Sequence, residues 1–313
     1  MHLCIPKFLS MHKCDFPGTD KSVPYRFRTI AFCILHFAFI NLVVVYFAFF
    51  WYNLCKEGEI MNQAAPIGVF DSGVGGISVL RELVRLMPNE NYIYYGDSAN
   101  APYGSRPTGQ VRALSLAVAE KLVSRGVKAL VVACNTATAA AVELLRSTYP
   151  DLIIIGIEPA LKLAADRFPT GNIGVMATQV TLREEKFAHQ LERFPHASVH
   201  LIPAPGLVEC IEGGHLADEK INGLLEPLLA PYVGKLDALV LGCTHYPFAA
   251  QAVRKVLGDK TLLLDGGAGT ARQTKKRLQS AGLLWDGPGS VILENSSDDP
   301  RLIKLCKELL ENG

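Results

Sequence analysis

The feature that most constrains this chain is a phrase that occurs twice, at an offset of 109 residues. Residues Lys128–Thr138 read KALVVACNTAT, and residues Asp237–Pro247 read DALVLGCTHYP. Each copy is an apolar run of strand length that ends in a cysteine followed by polar residues. Open α/β folds bind their ligands beyond the carboxyl ends of parallel strands. We therefore expect Cys134 and Cys243 to be presented alike and to share one substrate.

Two further correspondences indicate an internal duplication. The tripeptide at 67–69 returns at 173–175 with an offset of 106 residues, and the strand-end acids Glu158 and Asp265 lie 107 residues apart. Short apolar runs alternate with helical patterns in both halves. This alternation predicts an α/β fold with two pseudo-symmetric α/β domains and mainly parallel sheets. The shared substrate then places the active site in the cleft between them.

Composition narrows the classes of partner. The chain has 313 residues, 49% of them hydrophobic, which is enough for a sizeable core and two ordinary domains. Lys and Arg number 31 against 30 Asp and Glu, and no basic run is interleaved with aromatic residues, so nucleic acid is not an expected partner. The eight cysteines form neither CxxC pairs nor a compact disulfide framework, which favours reduced thiols. No metal-binding or flavin motif occurs.

The first sixty residues differ from the rest of the chain. Residues 29–55 carry no formal charge, and this run is long enough to cross a hydrocarbon core. Basic residues concentrate before it, so a membrane anchor would place the remainder of the chain outside the cytoplasm. That location conflicts with thiol chemistry on cytoplasmic metabolites. Our hypothesis is that translation starts at Met61, because Lys56-Glu57-Gly58 can be encoded by AAG-GAG-GGN, a ribosome-binding sequence. A membrane is then a partner only if the segment is really translated.

Two polar loops follow predicted strands. The glycine-rich loop Asp71–Gly76 follows the strand 65–70 but lacks the spacing of a P-loop or of a dinucleotide-binding fold. Its backbone N–H groups, at the start of a helix, could instead hold a carboxylate. The loop 96–106 follows the strand 91–95, and it suits either ligand contacts or an ordinary surface connection.

Two equivalent thiols suggest a reaction with two equivalent ends. In a racemase, one base removes the α-proton of an amino acid from one face, and a conjugate acid returns a proton to the other face. A free thiol with a pKa of about 8.5 is a weak base for this purpose, so adjacent groups must assist it. Asp71 and His245 are the candidates, although a histidine at such a position can also be purely structural.

Four motifs, taken together and in order, resemble glutamate racemase of the aspartate/glutamate racemase superfamily. They are Asp71–Gly76, Ala101–Gly104, Ala133–Thr138 and Gly242–Pro247, and the resemblance covers about residues 65–290. It implies a cofactor-independent, cytoplasmic bacterial isomerase that interconverts L- and D-glutamate. The product D-glutamate would serve peptidoglycan synthesis, and with it cell wall biogenesis and cell shape.

The resemblance also implies roles for individual residues. Cys134 would deprotonate the D isomer with help from Asp71, and Cys243 the L isomer with help from His245. A catalytic glutamate of the family, in the second half, would correspond to Glu212, with the nearby Glu209 as the alternative. The substrate glutamate would be bound by residues at four places: Asp71 with Ser72, Tyr103 with Gly104, Asn135 with Thr136, and Thr244 with His245.

The family fold implies that the two domains are not simply consecutive. The first would comprise residues 64–158 plus 268–313, the second residues 159–267, and residues 1–60 would be an extension. The resemblance leaves a homo-oligomer open. Two alternatives remain: an aspartate-specific or other amino-acid racemase of the same superfamily, and a membrane-tethered amino-acid binding protein without catalysis.

The translation start can be tested directly. If Met61 is the start, intact-mass and peptide mass spectrometry of the protein from its native cell will find no peptide from residues 1–55. Recovery of any such peptide would refute the hypothesis.

Overall fold

The structure of the chain is a computed structural model that describes residues 44–46, 63–157, 160–183 and 185–312. Val44–Tyr46, which are helical, belong to the unit Met1–Glu59, and the unit Ile60–Gly313 contains all other described elements. The rest of the apolar segment 29–55, the start at Met61 and the strand-end acid Glu158 lie outside the described residues. Among the residues that are described, no helix combines the length and apolar character needed to cross a bilayer.

The first sheet contains five parallel strands in the spatial order β4-β3-β1-β2-β9. The apolar residues of its central strands are fully buried, as expected for a parallel sheet covered on both faces. We call the part of the chain built on this sheet the first lobe. Its strands are β1 (Ile67–Asp71), β2 (Asn91–Gly96), β3 (Ala129–Val132), β4 (Ile153–Gly156) and β9 (Ser290–Asn295).

The second sheet contains four parallel strands in the order β6-β5-β7-β8, and we call the part built on it the second lobe. Its two inner strands are buried, whereas the edge strand β6 is mostly half-buried or exposed. The strands are β5 (Asn172–Ala177), β6 (Ser198–Pro203), β7 (Ala238–Leu241) and β8 (Leu262–Leu264).

The duplication seen in the sequence is a duplication of topology. The order β4-β3-β1-β2 in one lobe corresponds to β8-β7-β5-β6 in the other. The register corresponds too, because Gly68 pairs with Leu130 as Gly174 pairs with Leu239. Both strand glycines make room for a packed leucine: a methyl group would lie 3.4 Å from Leu130 Cδ1 at Gly68 and 2.7 Å from Leu239 Cδ1 at Gly174. The predicted fold class, two α/β parts with parallel sheets, is confirmed.

Helices connect the parallel strands, as right-handed crossovers require. In the first lobe, α1 and α10 pack against each other, and α11 packs on α1 and β9. The bounds are α1 (Ile77–Leu86), α2 (Thr108–Val123), α3 (Asn135–Thr148), α4 (Leu161–Arg167), α5 (Gln179–Arg183), α6 (Glu185–Glu192), α7 (Leu207–Glu212), α8 (Glu219–Leu229), α9 (Ala250–Leu257), α10 (Gly267–Ser280) and α11 (Pro300–Asn312).

The end of the chain returns to the first lobe. Sequence periodicity predicts tail helices over residues 271–281 and 300–311, and the structure has them at Gly267–Ser280 and Pro300–Asn312. It does not predict the strand β9 between them. That strand pairs with β2 in register, Asn91 opposite Ser290 and Gly96 opposite Asn295. It is an edge strand whose apolar run is only three residues long, and two of these, Val291 and Ile292, are exposed. It therefore differs from the longer buried runs that mark central parallel strands.

A buried ion pair closes the amino-terminal end of the first sheet. Lys128 Nζ lies 2.5 Å from Glu90 Oε2, and both side chains are almost fully buried. Lys128 also donates to the carbonyls of Gln63 and Leu283, while Glu90 Oε1 accepts from the Trp285 N–H. Burial lowers the pKa of Lys128, and the hydrogen bond and charge of Glu90 oppose that shift. The pair therefore joins the start of the described lobe to its returning tail.

We expect Lys128→Met to destabilise the protein by about 3 to 5 kcal/mol, because it leaves the Glu90 carboxylate buried without its charge partner. The free energy of unfolding from urea denaturation measures the effect. Arg85→Met is the matched control, because Arg85 is 73% exposed in its ion pair with Glu82 and its loss should cost about 0.5 kcal/mol or less. Equal costs for the two variants would contradict the assignment.

Candidate active site

Cys134 lies at the carboxyl end of β3 and at the start of α3. The N–H of Ala133 continues the β1–β3 ladder by donating to Phe70 O at 2.8 Å, and Cys134 then caps the helix. Its Sγ accepts the N–H of Ala137 at 3.4 Å and lies 3.7 Å from the Ser72 Oγ. The helix N-terminus favours negative charge on this sulfur.

Cys134 is nonetheless held as a thiol. Burial raises the pKa of Cys134 to about 12, and the negative charge of Asp71 adds to the rise, against the opposing effects of the Ala137 N–H and the Ser72 hydroxyl. At neutral pH the group is therefore a proton donor.

Asp71 lies at the end of β1, completely buried between the lobes. Its Oδ1 accepts the Ser72 hydroxyl at 3.2 Å and the Gly73 N–H at 2.9 Å, and its Oδ2 accepts the Thr244 hydroxyl at 2.7 Å. Ser72 Oγ thus lies between the Asp71 carboxylate and the Cys134 sulfur. The assistance of Cys134 by Asp71 stays a prediction, and the structure joins the two groups through the Ser72 hydroxyl.

Cys243 occupies the corresponding position in the second lobe. The N–H of Gly242 continues the β5–β7 ladder by donating to Met176 O at 2.8 Å, as Ala133 does in the first lobe. Cys243 Sγ lies 3.7 Å from Nδ1 of the buried His245, whose Nε2 lies 2.9 Å from Glu212 Oε1. The sequence left Glu209 and Glu212 open, and the structure puts Glu212, at the end of α7, against His245.

The His245–Glu212 pair is charged. Burial by itself lowers the pKa of His245, but hydrogen bonds to Cys243 and Glu212 and nearby negative charges raise that pKa well above its ordinary value. Burial by itself raises the pKa of Glu212, but His245 and the N–H of Val74 hold it below its ordinary value. The pair places a positively charged ring 3.7 Å from Cys243 Sγ.

The glycine-rich loop of the first lobe fits tightly against this pair. A methyl group at Gly73 would lie 2.1 Å from Glu212 Oε1, and one at Gly75 would lie 2.3 Å from His245 Nδ1. Ser78, in the first turn of α1, donates to the Thr244 carbonyl at 2.8 Å. The loop therefore requires glycine at these positions, because the second lobe lies against its backbone. From the sequence, the loop was predicted only as a tight turn or as a site where backbone N–H groups bind a carboxylate.

A second polar loop lies at the mouth of the site. Tyr103 is fully buried, and its hydroxyl donates to Asp97 Oδ2 at 2.6 Å. A methyl group at Gly104 would lie 3.2 Å from the Thr178 Cβ, so this loop meets the second lobe closely. The alternative that it is an ordinary surface connection does not fit these contacts.

One cavity of about 210 Å³ brings these residues together. The unpaired Oδ1 of Asn135 is buried at this site, an acceptor for which a ligand would supply the donor. Asp71 does not line the cavity but lies behind it. The predicted site residues that line it are Ser72, Tyr103, Gly104, Cys134, Asn135, Thr136, Cys243, Thr244, His245 and both candidate glutamates, Glu209 and Glu212.

The sequence reading missed the cavity wall formed by Thr178, Gln179 and Thr181 at the start of α5. The hydroxyl oxygens of Thr178 and Thr181 lie 3.0 Å apart and form a hydrogen bond. The internal duplication could have indicated this wall. Because β5 corresponds to β1, the residues after β5 correspond to the glycine-rich loop after β1.

Comparison with known proteins identifies the family. Residues 67–274 match the model of the Asp/Glu/Hydantoin racemase family. The chain belongs to the Asp/Glu/Hydantoin racemase family. It is therefore an amino-acid racemase, and the predicted resemblance is confirmed.

Named relatives agree with this membership. This racemase is 46% identical to a glutamate racemase of Clostridium perfringens over 251 residues, and the alignment covers 79% of this chain and 96% of the relative. A solved glutamate racemase of Thermus thermophilus in complex with β-chloro-D-alanine has a TM-score of 0.69 at 36% identity, over 79% of this chain and 93% of its own. Escherichia coli glutamate racemase, solved with L-glutamate and the activator UDP-MurNAc-Ala, has a TM-score of 0.71 at 29% identity, over 78% of this chain and 95% of its own.

We expect Glu212→Gln to lower the pKa of His245, because glutamine can still accept a hydrogen bond but no longer supplies the negative charge that opposes burial. Racemisation should fall about tenfold or more, since about 1.4 kcal/mol of charge stabilisation corresponds to a factor of ten. NMR titration of the His245 ring measures the shift. Glu209→Gln, in the same cavity wall but not bonded to His245, is the control, and an equal effect of both changes would contradict the pairing.

Proposed function

We propose that this racemase interconverts L- and D-glutamate by a two-thiol mechanism without a cofactor. The observation that carries the proposal is the equivalent placement of Cys134 and Cys243, each one residue beyond a corresponding ladder and both on one cavity. A hydrolase or a transferase would need one nucleophile with one activating base. Two thiols from duplicated lobes suit a reaction whose two ends are mirror images.

The two thiols take opposite roles in each direction. For the L isomer, Cys243, which lies 3.7 Å from His245 Nδ1, is the base, and Cys134, whose pKa is raised by burial and by Asp71, is the acid. After one turnover the states are exchanged, with Cys243 a thiol and Cys134 a thiolate, and the site then accepts the D isomer.

The reaction moves one proton on each face. From L-glutamate, Cys243 thiolate takes the Cα proton, and the bonding pair remains on Cα as a carbanion. Cys134 then delivers its thiol proton to the opposite face, which gives D-glutamate. The reverse direction begins with Cys134, assisted by Ser72 and Asp71, and ends with Cys243, assisted by His245 and Glu212. A positioned acid and base of this kind typically contribute a factor of about 10² to 10⁴ in rate.

The cavity wall offers partners for the three charged groups of the substrate, its two carboxylates and its ammonium. Asn135 and Thr136 begin α3, where free N–H groups and the helix dipole favour a carboxylate. The opposing hydroxyl and backbone groups of Ser72, Tyr103-Gly104 and Thr244 would hold the remaining carboxylate and the ammonium group, with Asp71 providing negative charge behind them.

The biological role follows from the substrate. We place the enzyme in the cytoplasm, where the four free cysteines found among the described residues would stay reduced. Its product would supply D-glutamate for peptidoglycan, and thereby cell wall biogenesis and cell shape.

We expect Cys134→Ala and Cys243→Ala each to reduce racemisation by about 10³-fold or more, because either change removes one end of the proton path. Incubation with glutamate in D₂O under reducing conditions, followed by polarimetry and NMR, measures turnover and Cα exchange together. Each variant should retain exchange of one isomer only: D-glutamate for Cys243→Ala and L-glutamate for Cys134→Ala.

The matched control is Cys210→Ala, which removes a buried free thiol outside the cavity and should keep normal turnover. Near-normal racemisation by either active-site variant would rule out the two-thiol mechanism. Parallel assays with aspartate identify the preferred substrate. Faster turnover of aspartate than of glutamate would favour the alternative of an aspartate-specific racemase.

A further inference from the structure

One peptide unit connects the core of the first lobe to the proton-transfer groups of the second. The carbonyl of Gly73 accepts the Tyr94 hydroxyl at 2.7 Å. The N–H of the same peptide unit, that of Val74, donates to the Glu212 carboxylate. Glu212 in turn bonds His245, which contacts Cys243. A continuous hydrogen-bonded chain therefore runs from Tyr94 to the second thiol.

Tyr94 is suited to hold that peptide in place. Its side chain is completely buried in β2, so no water competes for its hydroxyl. Burial, with the negative charge of Asp71 next in effect, raises the pKa of Tyr94 well above its ordinary value, which keeps the phenol a donor. Gly96 leaves space for the acceptor, because a methyl group there would lie 2.6 Å from Gly73 O.

Hydrogen bonds at both ends of one amide reinforce each other. A donor on the carbonyl polarises the peptide and strengthens the bond that its N–H makes. Here the strengthened bond goes to a carboxylate, and charge-assisted bonds of this kind are stronger than neutral ones. The Cys134 side does not use this peptide, since its sulfur contacts Ser72 and the Ala137 N–H.

We propose that Tyr94 is a positioning residue for proton transfer at Cys243, acting through the Gly73–Val74 peptide, Glu212 and His245. This inference rests on the proposed two-thiol function and assigns Tyr94 to one of its two proton-transfer steps. Loss of the hydroxyl leaves the Gly73 carbonyl buried without a donor, and the peptide no longer fixes the Glu212 charge. The step at Cys243 then becomes slower relative to the step at Cys134.

The test is Tyr94→Phe in the full chain, which removes one hydroxyl from a buried ring. We expect kcat/KM to fall about tenfold, and by the same factor in both directions because the two enantiomers have equal free energy. The diagnostic measurement is the primary isotope effect on kcat/KM. It should rise with Cα-deuterated L-glutamate, whose proton Cys243 removes, and fall towards the equilibrium isotope effect with Cα-deuterated D-glutamate, whose proton Cys134 removes.

Tyr92→Phe is the matched control, because Tyr92 is also buried in β2 and its hydroxyl donates to the carbonyls of Leu83 and Met87, at the end of α1. It should leave both isotope effects at their wild-type values. Thermal unfolding of both variants reports any loss of structure. If Tyr94→Phe does not fold, Gly96→Ala takes its place, since its methyl group displaces the Gly73 carbonyl and should give the same opposite shifts.

Isotope effects that stay unchanged in the folded variant, or that move in the same direction for both isomers, would overturn the inference. Its failure is distinct from failure of the proposed function. In the first case the wild-type chain racemises glutamate and only the variant departs from expectation, whereas in the second the wild-type chain neither racemises glutamate nor exchanges its Cα proton.

Discussion

The site depends on one contact between the lobes, the hydrogen bond from the Thr244 hydroxyl to the buried Asp71 carboxylate at 2.7 Å. Thr244 separates Cys243 from His245, so this bond fixes both residues against the first lobe. The Ser78 hydroxyl holds the carbonyl of the same threonine at 2.8 Å. A buried carboxylate costs much free energy unless its oxygens are bonded, and Asp71 meets that requirement with donors from both lobes. The cavity therefore forms where the two lobes jointly satisfy one charge.

Backbone symmetry and side-chain asymmetry serve different purposes here. Equivalent strands, in equivalent register, bring each cysteine to the same place at the carboxyl end of its sheet. The groups that serve the two sulfurs then differ: a helix N-terminus, Ser72 and Asp71 for Cys134, and His245 with Glu212 for Cys243. Burial and Asp71 raise the pKa of Cys134, whereas Cys243 has a positively charged ring beside it. This difference suits the proposed mechanism, in which one thiol acts as acid and the other as base.

The repeated phrase predicted the essential fold because a parallel strand that is buried on both faces has a continuous apolar run in its sequence. Strand β9 escaped prediction because it is an edge strand with exposed apolar residues, and its place is set by pairing with β2 far away in sequence. The choice between Glu209 and Glu212 also had no local signal. Both lie on α7 and line the cavity, and only the approach of His245 from another part of the chain distinguishes them. Both the β9 pairing and the His245 approach are contacts between segments that are distant in sequence, and neither periodicity nor motif spacing encodes such contacts.

The two thiols also differ in how far their hydrogen-bond partners depend on contact between the lobes. The partners of Cys134, namely Ser72 and the Ala137 N–H, belong to its own lobe and stay with it if the cleft widens. The pair that serves Cys243 is completed by first-lobe backbone, because the Val74 N–H bonds Glu212 and the space left at Gly75 admits the His245 ring. Separating the lobes would remove that N–H from Glu212. At Cys134 it would take Thr244 away from Asp71 but leave the contacts with Ser72 and Ala137 in place. The hydrogen bonds of Cys134 therefore come from one lobe, whereas the chain of groups beside Cys243 needs both.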